Sequence, residues 1–360
     1  MENNKTAIIG AGPAGLGAAL ALSHAGVEVD VFEKQPELGL ERRGETIRFN
    51  PEMEALLGNG FFESQAVHRV NKRRYYSHSG KRFVDRIISE YNLIIEWTHF
   101  LKAIAERVEK AGSRIHLNSE IDEIVMDGAR VAGVKLKDDE FDADAVFSCG
   151  GHTDPACRLI GIDRSKMDRP VEKRLVKNYS GPEDRLEYHF HADGKGLAVG
   201  CIFPRGKGEA EIIIMGMKDS WLPGFEDFSE LHKVFADRIK GTIDEYVLKT
   251  NIPMGAMLND CMPRTGLFMA GDTMGHVQAR GGSGIRTSFL IAYSCGVAAA
   301  NALKYGGWDN VQSIIGKSPH LKELEKHNLI YSKARQLMFK PAGSPERMDM
   351  LWPLLSAALR

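Results

Sequence analysis

The most regular pattern of apolar and polar positions lies near the N-terminus. Residues 6–9 form a short apolar run that predicts a buried strand, and an Ala- and Leu-rich stretch that ends near Ala25 predicts a helix. Gly26 ends this helix, and the β-branched alternation of residues 27–33 predicts a second strand. The order strand, helix, strand predicts a βαβ unit and therefore an α/β fold.

A similar pattern recurs late in the chain. Residues 266–272 predict a strand that ends in Gly-Asp, and the run from Thr287 to about Leu303 predicts a strong helix. A glycine-rich loop, residues 275–284, joins the two. A second strand thus leads through glycines into a second helix, far from the first such unit.

The middle of the chain has the sequence pattern of β-strands. Several short runs between residues 168 and 262 alternate or are apolar, which predicts an antiparallel sheet inserted into the main domain. The predicted strands are 188–191, 197–203 and 210–215, with one helix from 228 to about 240. Residues 318–360 predict two or three helices with many apolar positions, which suit packing on the body of the protein.

Composition narrows the function classes. The 360 residues carry 47 basic and 48 acidic side chains, so no basic surface for nucleic acid is expected. The five cysteines are odd in number and contain no Cys-x-x-Cys pair, which disfavours a disulfide scaffold and favours reduced thiols in the cytoplasm. No targeting segment and no membrane-spanning run is predicted, although peripheral membrane contact stays open.

The first βαβ unit carries the pattern Gly10-x-Gly12-x-x-Gly15 at its turn. Gly10 permits the tight turn, Gly12 lets a pyrophosphate approach the backbone, and Gly15 lets the helix pack on the strand. Glu33 ends the second strand, where a carboxylate can bind ribose hydroxyls. The predicted nucleotide-binding residues are Gly10, Gly12, Pro13, Ala14, Gly15, Glu33 and Lys34. This pattern alone does not separate NAD from FAD.

The late loop makes that distinction. Residues 271–285 resemble the second FAD motif of the geranylgeranyl reductase-like flavoproteins, within the p-hydroxybenzoate hydroxylase superfamily. That family shows Gly-Asp-Ala-Ala-Gly-Phe-Val-Asn-Pro-Leu-Thr-Gly-Gly-Gly-Ile here. This sequence matches it without a gap at Gly271, Asp272, Gly275, Val277, Gly282, Gly284 and Ile285.

The resemblance implies FAD as the cofactor. It places Asp272 at the ribityl or phosphate region, and it places Gly282, Ser283, Gly284 and Ile285 along the isoalloxazine. The segment from Arg42 to Thr46 is similar to a Gly-Glu-Ser/Thr segment of related reductases and halogenases. It predicts that Gly44 contacts FAD and that Arg42 or Arg43 reaches the phosphates; the alternative is that both arginines are solvated.

The predicted fold is therefore α/β. A Rossmann-like FAD-binding domain with a mixed sheet spans residues 1–167 and 263–317. The inserted antiparallel β-rich substrate domain spans residues 168–262, and a C-terminal helical segment spans 318–360. Residues 115–117, 121–125 and 131–137 are interpreted as the three-stranded insertion of the superfamily, and residues 145–151 return to the main sheet.

Two features depart from the family. The superfamily usually ends the strand at 145–151 with Ala-Asp-Gly, but this chain has Cys149-Gly150-Gly151, which argues against NADPH-driven hydroxylation. The reductase motif Tyr-x-Trp-x-Phe-Pro keeps its Phe-Pro, whereas Val199 and Cys201 replace its aromatic residues. No second GxGxxG pattern for a nicotinamide cofactor is present.

No acid–base pair, catalytic triad or metal-ligand spacing stands out, so no metal is expected. The candidate catalytic residues are His276, Arg280 and Cys201. Arg280 could bind an anionic group of the substrate or could be satisfied by local carbonyls. Cys201 could face the flavin or could fill the core as a small residue. His189 and His191 favour a structural pair over a metal site.

These observations predict an FAD-dependent oxidoreductase that reduces or oxidises a carbon–carbon bond of an apolar, isoprenoid-like or aromatic substrate by hydride transfer. Two alternatives are a monooxygenase or hydroxylase and an electron-transfer dehydrogenase acting on a quinone or redox carrier. A halogenase would carry a Trp-x-Trp-x-x-Ile-Pro motif, which is absent. The expected partners are an apolar or amphipathic substrate and an external electron donor, either NAD(P)H or a reduced redox protein.

Overall fold

The structure is a computed structural model of the chain. The structure describes residues 4–40, 44–137, 139–163, 169–192, 197–217, 229–254, 257–279, 281–339 and 344–357. Contacts divide the chain into two compact units. The first comprises Met1–Leu40, Thr98–Asp168 and Ile252–Leu329, and the second comprises Glu41–Trp97, Arg169–Asn251 and Ile330–Arg360.

The first unit is built on a five-stranded parallel sheet. Its order is β16-β10-β1-β2-β6. The strands are β1 (Lys5–Ile9), β2 (Glu28–Phe32), β6 (Arg114–His116), β10 (Ala145–Ser148) and β16 (Leu267–Met269). The predicted βαβ unit, the return strand and the strand before Gly-Asp are thereby confirmed. Mixed pairing occurs in the second unit instead.

The interpretation of residues 115–117 is corrected by this sheet. Their strand, β6, pairs with β2 through Asp30, Val31 and Phe32. The separate three-stranded sheet contains β7 (Glu123–Asp127), β8 (Arg130–Leu136) and β9 (Asp139–Asp142). A three-residue strand carries too little periodicity to reveal which partner it joins.

Two helices meet against this sheet. These are α1 (Pro13–His24) and α7 (Ile285–Tyr305). A Cβ atom on Gly17 would lie 2.5 Å from the carbonyl oxygen of Phe289, and one on Gly296 would lie 2.9 Å from that of Ala18. These contacts advance in the same direction along both helices, so the helices run parallel with their N-termini side by side.

The remaining α-helices in the described residues are mostly short. They are α2 (Pro51–Leu57), α3 (Phe61–Gln65), α4 (Trp97–Lys110), α5 (Pro155–Leu159), α6 (Ser229–Ala236), α8 (Val311–Ile315), α9 (Pro319–Phe339) and α10 (Pro345–Ala357). No helix within the described ranges combines the length and the apolar composition that crossing a bilayer requires. The predicted C-terminal helices correspond to α9 and α10.

The second unit contains an eight-stranded sheet with the order β15-β11-β14-β13-β12-β4-β5-β3. From β11 to β3 in this order, neighbouring strands pair antiparallel except β12 and β4, which are parallel. The strands are β3 (Gly44–Arg48), β4 (Ala66–Tyr76), β5 (Phe83–Glu96), β11 (Arg169–Lys177), β12 (Arg185–Ala192), β13 (Leu197–Gly206), β14 (Glu209–Met217) and β15 (Thr242–Ile252).

This sheet curls over one of its faces. β3 is an edge strand and β11 lies near the opposite edge, yet Lys173 of β11 donates to Glu45 of β3 at 2.6 Å. The Gly44 amide likewise donates to Glu211 of β14 at 3.0 Å. We call the concave side the inner face. Cross-strand partners project to the same side of a sheet, and Lys173 is on the inner face. The row of successive partners that leads away from it therefore also lies on the inner face: Ile213, Cys201, Tyr188 and Tyr75.

The two units divide the chain differently from the predicted domains. Residues 41–97 lie with the inserted sheet, to which they contribute β3, β4 and β5. The predicted C-terminal segment is also divided, since residues 318–329 belong to the first unit and residues 330–360 to the second. The inserted sheet is therefore larger than residues 168–262 alone can form.

Candidate functional site

The turn between β1 and α1 explains each glycine of the first pattern. Gly10 has a φ of +92°, and a Cβ there would lie 2.7 Å from the Cys149 carbonyl oxygen. A Cβ on Gly15 would lie 1.9 Å from the Gly10 carbonyl oxygen. A Cβ on Gly12, by contrast, would meet no protein atom within 4 Å. Gly10 and Gly15 are required by the fold, whereas Gly12 leaves open space that a ligand can use.

Both parallel helices begin without a side-chain cap. Gly12 precedes α1 and Gly284 precedes α7, and neither position supplies a side-chain acceptor for the first amides of its helix. Pro13 at the start of α1 lacks an N–H. A Cβ on Gly271, which follows β16, would lie 2.7 Å from the Ala14 Cβ. The adjacent helix N-termini present unsatisfied amides and positive dipole ends, which suit a diphosphate.

Glu33 follows β2 and faces the glycine turn. Its Oε2 accepts a hydrogen bond from the Ala11 amide at 2.9 Å, and its Oε1 accepts one from the Gln35 amide at 2.9 Å. The carboxylate therefore fixes the turn itself. Binding of the ribose hydroxyls by Glu33 remains a prediction, and the same carboxylate has lone pairs left for it.

Replacement of Glu33 should weaken FAD binding. Glu33→Ala removes the acceptor of two backbone amides and the predicted ribose ligand, so we expect the affinity for FAD to fall by roughly 1–3 kcal/mol. Equilibrium dialysis of the apoprotein with FAD measures this change. Glu37→Ala, on an exposed side chain that pairs with Lys102, is the control. Equal affinity of Glu33→Ala and wild type would exclude both roles.

The loop after β16 is held by its own backbone. The Gly275 amide donates to the Asp272 carbonyl, the Gln278 amide to the Ser283 carbonyl, and the Gly282 amide to the Gln278 carbonyl. Gly271 and Gly282 have φ values of +72° and +69°, which residues other than glycine rarely adopt. Asp272 is exposed, and its Oδ1 lies 3.7 Å from the position of a Cβ on Gly284. A preformed loop thus presents a carboxylate beside the start of α7.

The buried side chain of His276 is hydrogen-bonded to the backbone at the start of this loop. Its side chain is fully buried, and its Nδ1 accepts a hydrogen bond from the Gly271 amide at 3.2 Å. The neutral ring therefore carries its proton on Nε2, which lies 3.9 Å from the Cys261 Sγ. These contacts favour a structural role in the loop, and a catalytic role for His276 remains a prediction.

Asn328 of α9 also holds the loop, which the sequence analysis did not foresee. Its Oδ1 accepts from the Ala279 amide at 2.8 Å, and its Nδ2 donates to the Val277 carbonyl at 3.0 Å. The side chain is buried. It lies some fifty residues from the loop in sequence, and nothing in the local pattern of α9 distinguishes it from a core residue.

Asp154 supplies a carboxylate near the strand end where the family motif has its Asp. It accepts hydrogen bonds from the Gly150 amide at 2.6 Å, the Ala156 amide at 2.9 Å and the Ser148 hydroxyl. Burial raises the pKa of Asp154, and these hydrogen bonds oppose the shift. Asp154 is therefore hydrogen-bonded to the turn that follows β10, and it fixes the backbone of that turn beside the glycine turn.

The other predicted cofactor contacts are placed as follows. Arg42, Arg43 and Arg280 lie outside the described residues. Gly44 lies in the second unit, with its amide bound to Glu211. Lys34 is exposed and donates to the Thr153 hydroxyl at 3.4 Å. Their contacts with FAD remain predictions.

Cys201 lies at the centre of the inner face. It pairs with Tyr188 of β12 and with Ile213 of β14, and only 1% of it is exposed. Burial raises the pKa of the Cys201 thiol. A thiol that stays protonated at neutral pH is a poor nucleophile, which favours a packing role for Cys201.

The side chains around Cys201 on the inner face are aromatic and apolar. Tyr188 and Tyr75 stack with ring centroids 5.0 Å apart, and Tyr188 meets Phe203 edge-on. Val199 and Met215 continue the apolar surface in the neighbouring row. Among the described residues, no group of His, Cys, Asp and Glu side chains has a geometry that could hold a metal ion.

The comparisons with known proteins agree with the geometry of the first unit. Residues 3–307 match the FAD binding domain family. Digeranylgeranylglycerophospholipid reductase 2 of Methanopyrus kandleri is 25% identical over 316 residues, which cover 82% of this chain and 77% of that protein. The family match spans both the glycine turn and the late loop, and it identifies FAD as the cofactor.

Solved structures give the same fold. A geranylgeranyl bacteriochlorophyll reductase-like protein from Thermoplasma acidophilum has a TM-score of 0.78 at 19% identity, with 98% of this chain and 92% of that chain covered. The flavin-dependent halogenase CmlS has a TM-score of 0.70 at 14% identity, with 97% and 68% covered.

Proposed function

We propose that this protein, which belongs to the FAD binding domain family and is an FAD-dependent oxidoreductase of the geranylgeranyl reductase type, reduces or oxidises a carbon–carbon bond of an apolar substrate. Bound FAD supplies the two-electron chemistry that side chains cannot perform. The observation that carries the proposal is the apolar and aromatic inner face of the second unit, together with a first unit built to hold FAD.

The chain's own residues supply binding and orientation. The amides at Gly12 and Gly284 would hold the diphosphate, and Asp272 would hold the ribityl hydroxyls. The positive end of the α7 dipole would stabilise negative charge on the reduced cofactor. Tyr188, Val199 and Met215 would contact the apolar substrate and exclude water. The names of the two Methanopyrus kandleri reductases, both digeranylgeranylglycerophospholipid reductases, support an isoprenoid-like substrate.

A second candidate is oxygen chemistry. Structural neighbours include the halogenase CmlS and a probable FAD-dependent monooxygenase from Pseudomonas aeruginosa, which share this fold at 14% and 16% identity. The hydrogen bonds of Asp154 with the turn after β10 favour neither the reductase nor the monooxygenase. The two candidates differ in whether turnover needs oxygen.

Oxygen dependence is therefore the experiment that separates them. The purified FAD-loaded protein is reduced with NADH, NADPH or dithionite and incubated with a polyprenyl alcohol, once anaerobically and once in air. We expect consumption of the alkene without oxygen, and slower consumption in air because oxygen competes for the reduced flavin. Consumption that occurs only in air would support a monooxygenase and would exclude the reductase.

A further inference from the structure

The C-terminal helix α10 lies against the inner face of the second unit. Phe190 is two residues from Tyr188 on β12, so its side chain projects to the same side of the sheet. The Trp352 ring of α10 meets the Phe190 ring with 5.6 Å between centroids and 55° between planes. Only 2% of Trp352 is exposed. The helix therefore covers the inner face at Phe190.

The covered residue belongs to the row proposed for the substrate. Phe190 is paired with Val199, and Val199 is paired with Met215. Val199 and Met215 are residues that would contact the apolar substrate. The Trp352 ring thus occupies apolar surface at the end of the row along which that substrate would lie.

The buried position of Trp352 leaves its one polar atom without a partner. Within the described ranges, the buried indole Nε1 meets no hydrogen-bond acceptor. Buried indole N–H groups usually have a partner, and one without carries the full desolvation penalty. Water would solvate the same N–H. The unpaired N–H therefore reduces the free energy that is needed to move Trp352 into solvent.

The polar contact that holds this part of α10 lies at the surface. Asp349, one turn before Trp352, accepts a hydrogen bond from the Ser79 amide at 3.2 Å, in the turn between β4 and β5. Ser79 is exposed and Asp349 is half-buried, so water can replace this bond. Pro353 lies inside the helix and has no N–H to donate to the Asp349 carbonyl. The helix can therefore leave this position at low cost.

We infer that α10 is a lid on the inner face: Trp352 closes the face at Phe190, and an apolar substrate displaces Trp352 as it enters. The inference rests on the proposed function, because it concerns the entry of substrate into that same site. The closed and open positions of α10 are in equilibrium, so the apparent affinity for an apolar molecule is reduced to the open fraction of the protein. Weakening the closed position should increase that affinity.

Binding of farnesol to the FAD-loaded protein, measured by displacement of fluorescent N-phenyl-1-naphthylamine, tests the lid without turnover. Trp352→Ala removes the covering ring and Asp349→Ala removes the bond to Ser79, so we expect affinity to rise about tenfold and about threefold, respectively. Replacement of Trp352 by 3-benzothienylalanine keeps the shape of the ring but removes the N–H. It should stabilise the closed position and lower the affinity about threefold.

Two controls separate lid opening from general loss of structure. Leu354→Ala changes a side chain of α10 that is 73% exposed, and it should bind farnesol as the wild type does. Phe235→Leu changes the apolar core on the other side of the sheet, and it should lower thermal stability without raising the affinity. FAD content and circular dichroism check that each variant is folded; if Trp352→Ala is not, Asp349→Ala carries the test.

Hydrogen exchange of the α10 amides measures the movement itself. Farnesol should increase exchange in residues 345–357, whereas a helix that forms a fixed wall of the site would be protected. Protection of these amides, or a farnesol affinity that is unchanged or lower in folded Trp352→Ala and Asp349→Ala, would overturn the inference. Failure of the proposed function has a different signature, since α10 would still respond to farnesol while no alkene is consumed.

Discussion

Gly12→Val should leave the protein folded and almost without FAD. A Cβ at this position meets no protein atom within 4 Å, so the apoprotein has room for the added side chain. That space is the one in which a diphosphate must approach the backbone, and a branched side chain fills it. We expect the affinity for FAD to fall by about a hundredfold or more, which is at least ~2.7 kcal/mol.

Titration of the apoprotein with FAD measures this loss. Gly12→Ala should give an intermediate affinity, since a single methyl group blocks less space. Gly15→Ala is the contrasting variant, because its Cβ would lie 1.9 Å from the Gly10 carbonyl and should prevent correct folding. Thermal melting of the Gly12→Val apoprotein should match that of the wild-type apoprotein. Wild-type affinity for FAD in Gly12→Val would place the diphosphate elsewhere.

Lys173→Met should cost the second unit about 3 kcal/mol of unfolding free energy, the lower end of what breaking a buried ion pair costs. The Lys173 side chain is 6% exposed, and it pairs with Glu45, which is 22% exposed. It also lowers the pKa of the buried Glu211, which burial raises. Without the ammonium group, both carboxylates lose one nearby positive charge. Urea denaturation at neutral pH measures the change.

The loss of unfolding free energy in Lys173→Met should depend on pH. The pKa of Glu211 in the folded protein lies above its ordinary value of 4.5, so its protonated form is favoured by folding. Stability from this group is complete below pH 4.5 and is lost as the pH rises through the folded pKa. Removing Lys173 raises that pKa further, so the deficit of Lys173→Met should shrink towards pH 5.

Lys177→Met is the matched control for this variant. Lys177 lies on the same strand, but its side chain is 53% exposed and pairs with Asp244 at the surface. Such pairs contribute about 0–1 kcal/mol, so little change is expected at any pH. A deficit in Lys173→Met that equals the control, or that is independent of pH, would show that Glu45 and Glu211 do not need the ammonium group.

The parts of the fold that could be predicted are those that a local pattern specifies. The β1-α1-β2 unit follows from a short apolar strand, three glycines and an amphipathic alternation within about thirty residues. β4 and β5 could not be predicted in this way, because charged residues occur on both of their sides. Cross-strand ion pairs such as Arg74–Asp85, with two bonds of 2.6 Å, accompany their pairing.

The candidate site shows the same limit. Gly12 and Asp272 could be proposed as FAD ligands because the motifs that contain them are contiguous in sequence, and their roles remain predictions. Asn328 and Asp154 could not, because each acts through backbone amides that only the folded chain brings to it.

The most direct test of the proposed reaction is the identity of its product. The FAD-loaded protein, reduced anaerobically in deuterated water, is mixed with a polyprenyl alcohol, and the product is analysed by mass spectrometry. The account predicts a product that has gained a pair of hydrogens per reduced double bond, with deuterium incorporated. An unchanged alkene under these conditions, together with a product that acquires oxygen when labelled O₂ is admitted, would contradict it.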